Sequence, residues 1–458
     1  MRSSRPKVLQ PLAGIPLLQR VIQTAGRLNP EQLLIVHGSA QRPLYEPLVS
    51  PKLPFQVTWV HQEEQLGTGH AISLALKHLS TTAKHVLILY ADMPLITEAS
   101  LQALLKPLST ASTLSLLTGV CPDPTGFGRI IRNAEGHIQA IVEEKDATPA
   151  ERKITEINSG IYAFPVAVLR NFIPKINNNN QQQEYYLTDV ISLAAQKSMT
   201  IFAVSPQFPD EIQGVNTIEQ LAQLERIYQR RQASHWMAKG VHIVDPNRFD
   251  IRGDADEMHI APDVYIDVNV ILEGKITLSA GVTIGPNVYL KDTTIRTGAT
   301  ILANSYIEGA TIGEAGRIGP FARIRPHTHI DAHAGIGNFV EIKQSQIGKY
   351  SKINHLSYVG DATVGSHVNV GAGTITCNYD GAYKHPTILE DRVSIGAGVQ
   401  LVAPILVHEG ATIGAGTIVT KDVPAATLLY NRLEVCLRSD WRRPKKSESD
   451  ASSPLKEK

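Results

Sequence analysis

Asp92 stands just past Val86-Leu87-Ile88-Leu89-Tyr90, a run apolar enough to be a buried strand. A carboxylate at that place commonly holds Mg²⁺ beside a nucleotide's phosphates, although a turn or capping aspartate would look the same. Gln62-Glu63-Glu64-Gln65-Leu66-Gly67-Thr68-Gly69-His70 joins another strand pattern to a helical one through two glycines. Glycines there let backbone N–H groups approach a ligand, and the helix start favours anions; an ordinary strand-to-helix turn is the plainer alternative. Asp123–Arg129, Val142–Lys145 and Glu156–Gly160 are polar clusters among strand patterns. Each reads as a turn alone, and the three together favour a sugar-binding wall. In the second half, Thr376–Pro386 is a polar, aromatic stretch, and His327, His329 and His333 have metal-like spacing without further support.

Behind these residues lie two kinds of element. In the first half, strand patterns at Leu33–His37, Val57–Val60 and Val86–Tyr90 alternate with helical ones around Leu17–Ala25, His70–Leu79 and Ser100–Leu108. That alternation predicts a mostly parallel α/β sheet with ligands at the strands' carboxyl ends. In the second half, every sixth residue from Val264 to Ile342 is taken by an aliphatic side chain: 11 of 14 are Ile or Val, the exceptions being Thr294, Thr300 and Tyr306. A period of six fits neither a helix nor a half-buried strand, and predicts a parallel β-helix of about nine coils of roughly 18 residues each. The register steps back near Ile347 and Val364, and resumes in a new phase at Thr387. Thr376–Pro386 cannot continue a coil and should project as a loop, where binding tends to reside. Between the halves, Ile218 to about Met237 reads as a long, mostly exposed connecting helix, and Asn177–Gln183 as a mobile low-complexity loop. The expected domains are 1–216, a linker 217–250, the β-helix 251–437 and a basic, disordered tail 438–458.

A net charge of +1 over 458 residues argues against nucleic acid or membrane surfaces as partners. Three scattered cysteines suggest a reducing compartment without a zinc cluster, and no run reaches transmembrane length, so a cytoplasmic protein is expected.

Glu64–His70, Glu184-Tyr185-Tyr186-Leu187-Thr188-Asp189 and Gly371–Gly381 give the chain, along nearly its whole length, a close resemblance to the bacterial bifunctional N-acetylglucosamine-1-phosphate uridylyltransferase/glucosamine-1-phosphate N-acetyltransferases. The resemblance implies two reactions of UDP-N-acetylglucosamine synthesis for the cell wall. Acetyl-CoA acetylates glucosamine-1-phosphate, and UTP then reacts with N-acetylglucosamine-1-phosphate to release pyrophosphate. In the Rossmann-like nucleotidyltransferase domain it implies that Gln62, Gly67 and Thr68 hold uracil and ribose, and that Lys7 lies near the phosphates. Tyr90, Ala91 and Asp92 would line the nucleotide, Asp92 and Asn216 would ligate Mg²⁺, and Gly128, Glu143 and Asn158 would contact the sugar. In the left-handed β-helix, a homotrimer with sites between subunits, it implies His355 as the base and Arg325 and Lys343 on the sugar phosphate. Tyr358 and Asn369 would hold the sugar; Ala372, Asn378, Tyr379, Ala397, Ala415 and Arg432 would border acetyl-CoA.

The chain departs from the family's pattern in three places. The family opens with a strand and a glycine-rich loop ending in Met, of which Met1 matches only the last residue. As written, the chain is therefore expected to have little or no uridylyl transfer and a destabilised first domain; a start placed too far downstream is the simplest explanation. Ala91 replaces a common glycine, and Ala397 replaces a serine, which should weaken coenzyme binding without stopping the reaction. The competing readings are a monofunctional acetyltransferase with a vestigial first domain and a non-catalytic trimeric scaffold. A zinc carbonic anhydrase on the same β-helix would need a clear three-histidine site and no nucleotide domain.

Overall fold

The structure is a computed structural model that describes residues 3–38, 55–108, 112–431 and 436–443. The chain divides into two compact units, one ending at Thr293 and one beginning at Thr294. The first holds the α/β domain, the long helix and the opening coils of a solenoid; the second holds the remaining coils.

In the α/β domain a six-stranded sheet runs in the order Thr200–Val204, Thr113–Val120, Glu156–Pro165, Gly128–Arg132, Ile138–Val142, with His85–Ile88 also on Glu156–Pro165. Only the first of these pairings is parallel. The expected mostly parallel sheet is therefore a mixed one. The reason is Glu156–Pro165: this ten-residue strand, buried along nearly its whole length, runs antiparallel to three neighbours. The parallel pair Gln32–His37 and Gln56–His61 forms a separate two-stranded sheet. Helices Leu17–Gly26, Thr68–Ala75 and Glu98–Leu105 lie where helical periodicity put them. Glu98–Leu105 starts at Thr97, whose hydroxyl accepts the Ser100 amide at 3.2 Å, a side-chain N-cap.

The long helix is Ile218–Ala238, opened by a capping box in which Thr217 and Gln220 exchange side-chain to backbone bonds of 3.0 and 3.1 Å. Only Leu224, Gln229, Ala233 and Trp236 are buried along it, as a mostly exposed helix requires. The Asn/Gln tract is better held than its composition suggested. Asn180 accepts the amides of Gln182 and Glu184 and donates to the Glu184 carbonyl, while Gln181 donates to Asp146 and Gln182 to Tyr186. Short amide side chains can replace regular pairing in this way.

The solenoid consists of three parallel sheets of 11, 10 and 9 strands, about ten coils, consistent with a left-handed β-helix. Its first strand is His242–Ile243. The faces follow one another in chain order, as in Thr283–Ile284 on the first, Tyr289–Lys291 on the second and Thr294–Ile295 on the third. The fully buried column is Ile266, Leu272, Leu278, Ile284, Leu290, Ile295, Ile301, Ile307 and Ile312, continuing to Ile342. The exceptions Thr294, Thr300 and Tyr306 do not belong to it, and Tyr306 is exposed. The six-residue series from Val264 followed two different inward positions. Each flat side buries one large residue and another two places earlier, as Val288 with Leu290 and Ala322 with Ile324. Two five-residue steps, Leu290 to Ile295 and Ile307 to Ile312, carry the count from one position to the other. Each buried aliphatic side chain stabilises by about 1.5–3 kcal/mol as an upper estimate.

All four short steps, including Ile342 to Ile347 and Val359 to Val364, fall at the corner between the second and third faces. The interruption after Thr376 falls at the same corner. The chain turns the corners with left-handed residues, among them Asn269, Asn287, Phe339 and Leu356.

Candidate functional site

In the first unit, two sequence motifs meet. The Gly67 carbonyl accepts Gln62 Nε2 at 3.3 Å, the Gly69 amide donates to the Tyr185 carbonyl at 2.7 Å, and Tyr185 donates to Leu66 at 2.8 Å. Thr68 Oγ1 accepts the Leu187 amide at 3.1 Å. Gly67 has a φ of +103° and the Tyr185 carbonyl 2.7 Å from where a Cβ would stand, so a side chain is excluded twice. The result is a narrow turn at the carboxyl end of Gln56–His61 opening onto the helix Thr68–Ala75.

Beside it, Gly128 and Asn158 are register partners, and the Glu143 carboxylate lies 3.4 Å from where a Cβ on Gly128 would stand. The three polar clusters thus form one wall. Asn158 donates to the Tyr162 hydroxyl at 2.7 Å, and Glu143 accepts from Thr188 at 3.2 Å. Burial pushes the Glu143 carboxyl above its usual range, with the charges of Asp146, Asp189 and Glu184 adding to the effect. Tyr90 is pushed up to about 12, first by burial and then by Glu143 and Asp92, which ties the wall to the end of the apolar strand. Gly160, at a φ of +83°, leaves room for the Tyr90 ring.

Lys7 donates to Asp92 Oδ2 at 2.6 Å and to Asn216 Oδ1 at 3.0 Å. The two residues implied as metal ligands therefore converge on one cationic atom. An ammonium is the stand-in, and a carboxylate and an amide oxygen are the hard donors that Mg²⁺ accepts, so the residues present fit that ion. Ala91 lies beside Asp92 in the same turn.

In the second unit, the outward residues of the second face carry the charge. Arg325 and Lys343 follow the register partners Ile324 and Ile342, and Arg325 donates to Glu341 at 2.8 Å. Tyr358 is one rung on, opposite Glu341. One edge of this face is a column. The Gly373 amide donates to the His355 carbonyl at 3.3 Å, Gly398 to Ala372 at 2.7 Å and Gly416 to Ala397 at 2.8 Å, so His355, Ala372, Ala397 and Ala415 hold one position in four successive coils. They stand about one strand spacing, roughly 4.8 Å, apart. The other edge is the projecting loop. Asn378 donates to Asp361 and, at 3.4 Å, to the Tyr358 hydroxyl; Tyr379 is 62 % exposed. Asp380 accepts the Ala382 and Tyr383 amides at 2.8 and 2.6 Å and faces His385 Nε2 at 2.7 Å, contacts that hold its carboxyl well below the usual carboxylate range.

Not every expected residue joins this set. Asn369 stands on the first face, three residues before Ala372, whereas Lys343 and Tyr358 are on the second. Arg432 lies outside the described residues, as does the tail from 444. The three histidines do not converge: His327 and His333 turn successive corners, His329 pairs with Asp331 at 3.0 Å, and His333 stacks on Tyr350 with centroids 4.8 Å apart. Among the described residues no group of three metal-ligating side chains forms. Sequence reasoning missed Glu341 and Lys384. Lys384 is the residue whose ammonium Lys343 holds below the usual amine range. The position of Lys384 inside the inserted loop was the available signal.

The fold and the two sites define a tandem protein: a nucleotide-handling α/β domain followed by a hexapeptide-repeat solenoid with a cationic, histidine-edged face. The model of the MobA-like NTP transferase domain matches residues 1–129. The bifunctional protein GlmU of Dechloromonas aromatica is 47 % identical over 97 % of this chain and 96 % of its own length. That of Azoarcus sp. is 47 % identical over 97 % of both. The chain belongs to the family of bifunctional GlmU proteins. Its structure also aligns with apo UDP-glucose pyrophosphorylase at a TM-score of 0.40 and 14 % identity, over 50 % of this chain and 91 % of that one. Among the described residues no helix is long and apolar enough to cross a membrane.

Proposed function

We propose that the chain carries out both steps of UDP-N-acetylglucosamine formation in the cytoplasm, as a homotrimer, with residues 1–216 and 251–437 as its two catalytic domains. It is a glucosamine-1-phosphate N-acetyltransferase and an N-acetylglucosamine-1-phosphate uridylyltransferase. The observation that carries the first activity is the His355–Ala372–Ala397–Ala415 column along the face bearing Arg325 and Lys343. The sugar phosphate pairs with Arg325 as a fork and Lys343 as a point charge. His355 takes a proton from the sugar amine, which as an ammonium has no lone pair to attack a thioester. Small side chains at Ala372, Ala397 and Ala415 leave a shallow track for acetyl-CoA, with Asn378 and Tyr379 of the loop at the opposite edge and Arg432 bordering the coenzyme. Asn369 and Tyr358 hold the sugar. Asn369 lies on a different face from Tyr358, and a site shared between copies of a trimer would bring both to one sugar.

In the first domain, Gln62, Gly67 and Thr68 hold the nucleoside, Tyr90, Ala91 and Asp92 line it, and Gly128, Glu143 and Asn158 hold the sugar. Asp92 and Asn216 would hold Mg²⁺, which when bound neutralises phosphate charge. Lys7 then pairs with the phosphates. The second reading, a scaffold without turnover, has no use for the cationic face.

Two assays on one preparation test this: thiol release from acetyl-CoA with glucosamine-1-phosphate, and pyrophosphate release from UTP with N-acetylglucosamine-1-phosphate. Both products are expected. A chelator should stop the second and leave the first, whereas thiol release that fails with Mg²⁺ present would overturn the acetyltransferase reading.

A further inference from the structure

We propose that Asn338 is a positioning residue for acetyl transfer that fixes which nitrogen of His355 is free to act. The proposal rests on the reading of His355 as the base. Asn338 and His355 are register partners on adjacent coils, and Asn338 Oδ1 lies 3.1 Å from His355 Nδ1. Among the described residues it is the one hydrogen-bond partner of the ring. Ala372, the next rung of the column, offers no polar group.

The backbone on both sides of this pair is fixed. Leu356 donates to the Asn338 carbonyl at 3.1 Å, Gly373 to the His355 carbonyl at 3.3 Å, and Ser357 Oγ to the same carbonyl at 2.8 Å. A Cβ on Gly337, the residue before Asn338, would overlap the Asn354 backbone, so the two coils are in close contact where the pair begins. The backbone therefore sets the two side chains side by side on adjacent coils.

An amide oxygen only accepts, so Nδ1 carries the hydrogen and Nε2 keeps its lone pair free for the sugar amine. Acetyl transfer then balances. The amine nitrogen forms a bond to the thioester carbonyl carbon, the C–S bond breaks, and the amine proton passes to Nε2 and on to the leaving sulfur. While the imidazolium exists, the Asn338 carbonyl dipole faces its Nδ1–H. An amide in the opposite flip would donate to Nδ1, place the hydrogen on Nε2 and remove the base. Holding a tautomer is worth orders of magnitude in other histidine catalysts.

The charged and titratable groups on the elements beside it are Lys352 on His355's own strand and Glu341, Lys343 and Tyr358 on the second face. None is hydrogen-bonded to the ring among the described residues.

The test is the pH profile of kcat/KM for acetyl transfer in the full-length chain, for Asn338→Leu and Asn338→Asp beside His355→Ala. Asn338→Leu keeps the volume and removes the acceptor; kcat should fall about tenfold or more with both KM values within about twofold. Asn338→Asp keeps the shape and adds a charge that favours the imidazolium; the acid limb should move up by about one pH unit or more. Merely structural damage would not move that limb in a set direction, so the aspartate variant decides the matter even if the leucine variant folds poorly. Wild-type kcat and an unmoved acid limb in the aspartate variant, with His355→Ala inactive, would overturn the role of Asn338 alone. Acetyl transfer surviving in His355→Ala would overturn the base and this proposal with it.

Discussion

Glu143 combines a use for its carboxylate with a cost to the fold that contains it. Its folded pKa is raised, chiefly by burial, so the charged form is disfavoured where it stands. For a raised carboxyl, the stability it contributes is complete below its unfolded value, about 4.3, and is lost as pH rises through the folded value. Glu143→Gln should therefore melt at a higher temperature than the parent at pH 7, with the gap closing at pH 4. Equal gaps at both pH values would contradict the burial argument. Asp92 was legible from its place after an apolar run, because strand ends in such sheets face the ligand. Its convergence with Asn216 on Lys7 was not, since the three lie far apart in sequence and only the resemblance joined them. Glu341 stayed hidden because outward positions of a solenoid carry no hydropathy constraint, and Lys384 because it stands in a loop outside the repeat.

At the scale of elements, the period of six gave the solenoid, but its phase was ambiguous because each side has two inward positions. The corrected register makes a direct claim. Ile301→Ala should cost about 2–5 kcal/mol in denaturant unfolding. Thr300→Ala, at an outward position, should stay within about 1 kcal/mol. The reverse order would restore the uncorrected column. The short steps also proved less specific than the sequence suggested: two border the sites and two, near Leu290 and Ile307, do not. Their common feature is the corner at which they fall, and the projecting loop occupies that corner too. In that loop Asp380 gathers two amides and His385 into a clip behind Tyr379. Asp380→Ala should raise KM for acetyl-CoA several-fold with a smaller change in KM for glucosamine-1-phosphate, read from initial rates. Equal changes in both would mean that the clip does not serve the coenzyme.

At the scale of the whole molecule, two catalytic domains share one chain of net charge +1. The proposed sharing of the sugar site between copies predicts a trimer in sedimentation at assay concentrations; a monomer with full acetyl transfer would contradict it. The central claim is that the histidine-edged column transfers the acetyl group. The most direct measurement is thiol release by His355→Ala, with sedimentation and pyrophosphate release followed in the same preparation. The account predicts acetyl transfer reduced by at least about 100-fold, with the other two readouts unchanged. Acetyl transfer at the wild-type rate would contradict it.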